Sequence, residues 1–338
     1  MDADLPPYTP PPWLRNGHVQ SVLPTLFRRV EGVEYRRERL DLRDGDFLDL
    51  DWAGPGRRQR VAVVAHGLEG SADRAYVRGM ARALGRRGWT VCAWNMRGCS
   101  GEPNRTLRTY HSGSSDDLDA VVAHVGAGGA ERLALVGFSL GGNVTLKWLG
   151  EQGGGVDRRV VGAVALSVPV DLGSSSETME GWSRRVYMAR FLRSLREKVE
   201  EKAARFPDTP DPVPIRAMRS FREFDGHFTA PVHGFESAED YWTRASSGPL
   251  LGQIRVPTLL VNALDDPFLS AACYPHAAAA ANPHLRLLTP AYGGHVGFVR
   301  RGGEYWSETV AARFLDAALE RSAASASPAS RSAPPSTA

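Results

Sequence analysis

From residue 61 onward the chain alternates short, unbroken apolar runs with longer amphipathic stretches, and that alternation leaves little choice of architecture. The runs occupy 61–65, 90–94, 133–136, 160–166, 258–262 and 285–288. Each is too short for a core helix and lacks polar alternation, so both of its faces must be covered, as in a parallel sheet flanked by helices on both sides. Helical periodicity fills intervals at 76–87, 115–124, 140–152, 270–281 and 304–321. Ahead of these, 35–42 and 47–52 flank the turn Arg43-Asp44-Gly45-Asp46 and read as an antiparallel hairpin. The expected core is therefore a mostly parallel, eight-stranded α/β sheet with helices on both faces.

Between 170 and 251 the alternation breaks. Met179, Trp182, Val186, Met188, Phe191, Leu192, Leu195 and Val199 recur there at roughly three- and four-residue spacing, the apolar stripe of helices. The expected division is an N-terminal strap over 1–34, largely irregular; a core over 35–170 and 252–321; an inserted helical cap over 171–251; and a tail over 322–338. That tail is almost all Ser, Ala and Pro, too poor in apolar residues to offset the entropy of ordering, and is expected to be disordered. Part of the cap stripe, with Trp182, Met188 and Phe191 as candidates, is expected to face a substrate.

The chemistry centres on Gly137-Phe138-Ser139-Leu140-Gly141, a G-x-S-x-G placed between a predicted strand and a predicted helix. A serine hydroxyl is a weak nucleophile, so it must be exposed on a strained turn beside a general base, and the flanking glycines let neighbouring backbone approach it without a Cβ clash. Chain order puts acid before base. His295, in the glycine-flanked loop Tyr292-Gly293-Gly294-His295-Val296-Gly297-Phe298, is the candidate base, whereas His276 and His284 sit in or beside a helix and read as surface residues. The carboxylate comes from Asp265 or Asp266, both just beyond the strand at 258–262. Charge developing on a carbonyl oxygen needs fixed donors, and the backbone N–H groups of Leu140 and Leu68 stand where they are required. His66, in His66-Gly67-Leu68-Glu69-Gly70, reads as a structural histidine. Asn95, Arg97, Tyr110 and His111 follow a strand on the same sheet edge, with Arg97 expected to brace a loop.

Other classes find little support. The formal charge is +3, and pairs such as Arg28-Arg29, Arg36-Arg37, Arg57-Arg58 and Arg86-Arg87 are scattered rather than striped, so no nucleic-acid partner is expected. Cys92, Cys99 and Cys273 form neither a disulfide framework nor a zinc spacing, and the nine histidines show no H-E-x-x-H, so no metal or cofactor is expected. Gly126-Ala127-Gly128-Gly129 precedes a strand instead of following one, which excludes a dinucleotide fingerprint. An acidic start without a signal-like segment, and no apolar run near the ~20 residues of a membrane span, lead to the expectation of a soluble cytoplasmic protein.

Five segments carry a wider resemblance: Trp13-Leu14-Arg15-Asn16-Gly17-His18-Val19-Gln20, His66-Gly67-Leu68-Glu69-Gly70-Ser71, Asn95-Met96-Arg97-Gly98-Cys99-Ser100-Gly101-Glu102, Tyr110-His111-Ser112-Gly113 and Asn262-Ala263-Leu264-Asp265-Asp266-Pro267-Phe268. Together they resemble the YheT-like branch of the α/β-hydrolases, over about residues 13–320. One departure is Asn16-Gly17-His18, where that branch more often has Asn-Pro-His. The resemblance implies a Ser-His-Asp triad on Ser139, His295 and Asp266, the last favoured over Asp265 by its Asp-Pro-Phe setting. It also implies action on a small-molecule ester or acyl lipid, as in the branch's bacterial hydrolases and eukaryotic lipases. Ethanol acyltransferases of the same branch suggest the alternative of passing the acyl group to an alcohol. A non-catalytic binding protein of this fold usually lacks a triad member, and here all three are present.

Overall fold

The structure is a computed structural model in which residues 4–56 and 59–326 are described. Eight strands form one sheet: β1 (Arg36–Asp41), β2 (Phe47–Ala53), β3 (Arg60–Ala65), β4 (Thr90–Asn95), β5 (Arg132–Phe138), β6 (Val160–Leu166), β7 (Thr258–Val261) and β8 (Leu285–Leu288). Their order is β1-β2-β4-β3-β5-β6-β7-β8. β2 pairs antiparallel with β1 and β4, and all other pairs are parallel.

Helices in chain order are α1 (Gly17–Phe27), α2 (Ala75–Gly85), α3 (Ser115–Ala127), α4 (Leu140–Gln152), α5 (Leu172–Met179), α6 (Arg185–Arg205), α7 (Pro212–Ile215), α8 (Phe221–Phe224), α9 (Ala230–His233), α10 (Ala238–Ala245), α11 (His276–Ala281) and α12 (Trp306–Ala326). The strand pleat divides the core between two faces. Val61, Val63 and Ala65 point toward α3 and α4, while Ala62 and Val64 point toward α2 and α12. With both faces covered, each fully buried aliphatic side chain contributes about 1.5–3 kcal/mol, which is why these strands carry continuous apolar runs.

Two expectations need correction. The N-terminal segment is not mostly irregular, since residues 17–27 form α1, capped by Asn16, whose side chain accepts from Val19 N–H. Past 321, α12 runs on through Ala326, so the first residues of the expected tail are helical, and 327–338 lie outside the described residues, as do Arg57 and Arg58. Among the described residues no helix is long and apolar enough to cross a membrane.

Candidate active site

Ser139 stands at the sharp junction of β5 and α4 with φ 51° and ψ −119°, a left-handed conformation that costs a residue with a Cβ on the order of 1–3 kcal/mol. Its surroundings hold it there. A Cβ on Gly137 would lie 2.4 Å from Gly141 O, and one on Gly141 would lie 2.4 Å from His66 O, so glycines at both positions let the turn fold flat against neighbouring backbone.

His295 Nε2 lies 2.9 Å from Ser139 Oγ, and its Nδ1 lies 2.9 and 3.1 Å from the two Asp266 oxygens. An ionised carboxylate can only accept, so Nδ1 carries the proton and Nε2 is left to accept from the serine hydroxyl. Asp266 is further fixed by Phe268 N–H, 2.9 Å from Oδ1. The Phe268 ring lies 4.2 Å from the imidazole and limits its rotation. The adjacent acid behaves differently. Asp265 Oδ1 accepts from Gly294 N–H at 2.8 Å, bracing the backbone of the histidine loop, and burial pushes its carboxyl above the usual range.

Leu68 sits between two pinned neighbours. Gly67 N–H donates to Tyr76 Oη at 3.0 Å and Glu69 N–H donates to Tyr110 Oη at 2.9 Å. Leu68, Leu140, Ser139 and His295 all line one cavity. His66 is structural: its Nε2 accepts from Met96 N–H at 3.1 Å, its Nδ1 therefore donates to Gly67 O at 2.8 Å, and burial pushes it down to about 4. Arg97 is buried against Asp117, Asp44 and Asp46 and takes no part in the cavity. Asn95 is likewise buried beneath the site, bonded to Asp49, Asp51 and Ala72, whereas Tyr110 and His111 line the cavity.

Two lobes meet at Ser139 and His295. A deep one, about 150 Å³, runs beneath the segments between β6 and β7 and is mostly apolar, with Leu172, Met179, Phe221 and Phe228 in its wall. The other, larger at about 440 Å³, lies between α1, α2 and α6, past Val22, Leu26, Tyr76 and Tyr187. Of the three stripe residues expected to face a substrate, Phe191 lines both lobes. Met188 is buried with Leu192, Phe224 and Phe228 inside the helical insertion and does not line either lobe. Trp182 is a correction: it is 82% exposed. It lies in the short turn Trp182–Arg184 that precedes α6, so the helical period that would carry it inward has not yet begun.

The residues that sequence reasoning missed hold the loops of Asp266 and His295 from outside. Ser21 Oγ accepts from His295 N–H at 2.8 Å and donates to Gly17 O at 2.7 Å. A Cβ on Gly17 would lie 1.8 Å from Asp265 O, so α1 touches the acid loop at a point where only glycine fits. Ser167 Oγ accepts from Val296 N–H, and Asn262 bonds both Val168 and Cys273. The available signal was Gly17, a glycine at the first position of a helix.

The fold recurs among known proteins. Residues 62–301 match the α/β-hydrolase fold family. YheT of Escherichia coli (strain K12) is 38% identical over 319 residues, spanning 90% of this chain and 92% of that protein. Phospholipase ABHD3 of Mus musculus is 31% identical over 303 residues, 86% of this chain and 73% of that protein. Among solved structures, the Pyrococcus furiosus esterase Pf2001 superposes with a TM-score of 0.56 at 19% identity, covering 86% of this chain and 98% of that one, a likeness of fold. The chain therefore belongs to the α/β-hydrolase fold family, in the branch that contains YheT.

Proposed function

We propose that this protein hydrolyses carboxylic esters through an acyl-enzyme on Ser139. As Oγ attacks the ester carbonyl, His295 Nε2 takes its proton, and Asp266 stabilises the imidazolium without becoming protonated. The carbonyl oxygen gains negative charge facing the Leu68 and Leu140 N–H groups. Collapse expels the alcohol, which leaves with the proton from His295; water then attacks the acyl-enzyme and gives a proton to the same nitrogen, and the second collapse breaks the bond to Oγ, which takes that proton back as the acid leaves. The observation that carries this reading is the continuous relay from Ser139 Oγ through His295 to Asp266, 2.9 Å at each closest step, opening on a largely apolar cavity. Relatives named as a phospholipase and a monoacylglycerol lipase support an acyl lipid or a shorter ester as substrate.

The test is fluorophosphonate labelling of wild type beside Ser139→Ala, followed by turnover of p-nitrophenyl esters. Wild type labels and turns over, while the alanine variant does neither above background and keeps its melting temperature. An alanine variant that cleaves esters at near wild-type rate would remove Ser139 from the mechanism. Adding ethanol to the assay and measuring ethyl ester against free acid separates hydrolysis from acyl transfer to an alcohol.

A further inference from the structure

At the wall of the deep lobe stands an acidic side chain that the proposed reaction does not use. Asp225 opens a single π-helical turn, Asp225–Thr229, between α8 and α9. Such turns cost regular hydrogen bonding and recur at functional sites. The turn lets Thr229 Oγ1 donate back to Asp225 Oδ1 at 2.6 Å, while Trp242 Nε1 on α10 donates to Oδ2 at 2.8 Å. Both donors are neutral. No Lys, Arg or His pairs with this carboxylate among the described residues. Burial pushes the group up to about 6, while both of its oxygens accept from donors, the arrangement that suits an ionised carboxylate.

Of the other ionisable groups lining the lobe, Glu69 Oε1 is paired with Lys198 Nζ at 2.9 Å, and His295 is engaged between Ser139 and Asp266, the latter lying outside the lining. Burial holds His111 well below its usual range, which keeps it neutral. Among the described residues, Asp225 is therefore the one lining group whose charge lacks a partner of opposite sign, and a half-buried carboxylate in that position gains from a ligand that supplies one. The lobe is also lined by Phe221, Phe224, Phe228, Tyr241 and Trp242; the Trp242 ring already has the Arg222 guanidinium 5.1 Å from its centroid, itself paired with Glu177 and Glu239. Aromatic faces beside a carboxylate form a surface that attracts an organic cation, because the ring quadrupoles and the anion act together where water is scarce.

We infer that Asp225 and these rings form a recognition subsite: the arm of the ester that enters the deep lobe carries an alkylammonium group. The inference rests on the ester-hydrolase reading and adds to it the charge class of the substrate. Each Asp225 oxygen keeps acceptor capacity beyond its bond to Thr229 or Trp242, so a cation can dock without breaking either.

The experiment compares matched esters that differ only in a terminal trimethylammonium or its neutral tert-butyl isostere. One series carries the pair on the alcohol arm of butanoate thioesters, the other on the acyl arm of p-nitrophenyl esters. In at least one series wild type prefers the cation by about tenfold or more in kcat/KM. Asp225→Asn, which can keep the Trp242 bond, abolishes that preference while turnover of p-nitrophenyl butanoate stays within about threefold of wild type. Equal rates on charged and neutral members of both series in wild type, or a preference that survives in Asp225→Asn, would overturn the subsite. Should that variant fail to fold, wild type still decides: the lack of both a cation preference and competition by butyltrimethylammonium against p-nitrophenyl butanoate overturns the proposal. Absence of any turnover of p-nitrophenyl butanoate by wild type is the separate outcome that defeats the hydrolase reading itself.

Discussion

Two neighbouring aspartates show how much the role of a residue depends on a single step along the backbone. Asp265 and Asp266 share one loop, yet only Asp266 reaches the imidazole, and Asp265 turns instead to the amide of Gly294. Asp266→Asn removes the charge that steadies the imidazolium and permits the wrong tautomer, so kcat falls by roughly three to four orders of magnitude. Asp265→Asn keeps an oxygen able to accept from Gly294 N–H, and kcat changes by less than about tenfold. Steady-state kinetics of the two variants on one p-nitrophenyl ester check this, and the reverse ranking would transfer the acid role to Asp265. From sequence both acids were open on the bare residues, because they follow the same strand; the backbone turn at Ala263 that aims their side chains apart is a matter of loop geometry.

At the scale of elements, α6 does most to shape the site. Lys198 on this helix reaches Glu69, and the Ser194 hydroxyl bonds the same carboxylate, so the insertion is tied to the loop that carries Leu68. Burial alone would raise Glu69, but Lys198, Ser194 and Tyr110 together hold it below its ordinary range. One turn before Ser194, Phe191 faces both lobes and lies 6.0 Å from the Phe268 ring that covers His295. An acyl chain lying along Phe191 gains at most ~0.8 kcal/mol for each methylene it buries, so kcat/KM rises from acetyl to hexanoyl esters by about tenfold or more until the pocket ends. Phe191→Ala changes that profile, whereas Trp182→Ala leaves it as in wild type because Trp182 is exposed to solvent. A chain-length series from acetyl to palmitoyl on all three proteins reads the outcome. A flat wild-type profile, or an equal response to both substitutions, would take α6 out of the account of specificity.

Across the whole molecule, the N-terminal segment packs against the end of the histidine loop and the first residue of α12. Tyr8 Oη donates to Val299 O at 2.9 Å, its ring packs 5.1 Å from Trp306 and 5.8 Å from Phe298, and Trp306 Nε1 donates to Pro6 O at 2.7 Å. Removal of the first 12 residues exposes these rings, costing about 2–4 kcal/mol, and lowers the melting temperature by several degrees. Calorimetry of the shortened chain tests this; an unchanged melting temperature would show that the segment contributes nothing to the core it touches.

Sequence alone determined the features set by local period and short-range turn chemistry. Val160–Leu166, Leu285–Leu288 and Leu140–Gln152 were legible to the residue because a doubly covered strand is continuously apolar and a helix behind a G-x-S-x-G elbow begins at a fixed step. Ser139 and His295 were legible for the same reason, as each sits in a loop whose glycines mark a close approach. Helix α1 was not: it buries only Gly17 and Gln20 and leaves Val19, Val22, Leu26 and Phe27 exposed, so it carries no inward stripe to read. Tertiary structure decided everything that depends on contact between distant segments: the docking of Gly17 on Asp265, the aim of the two aspartates, the outward turn of Trp182 and the unpaired charge of Asp225. Such pairings are set by how the finished layers pack, at separations along the chain where periodicity carries no information.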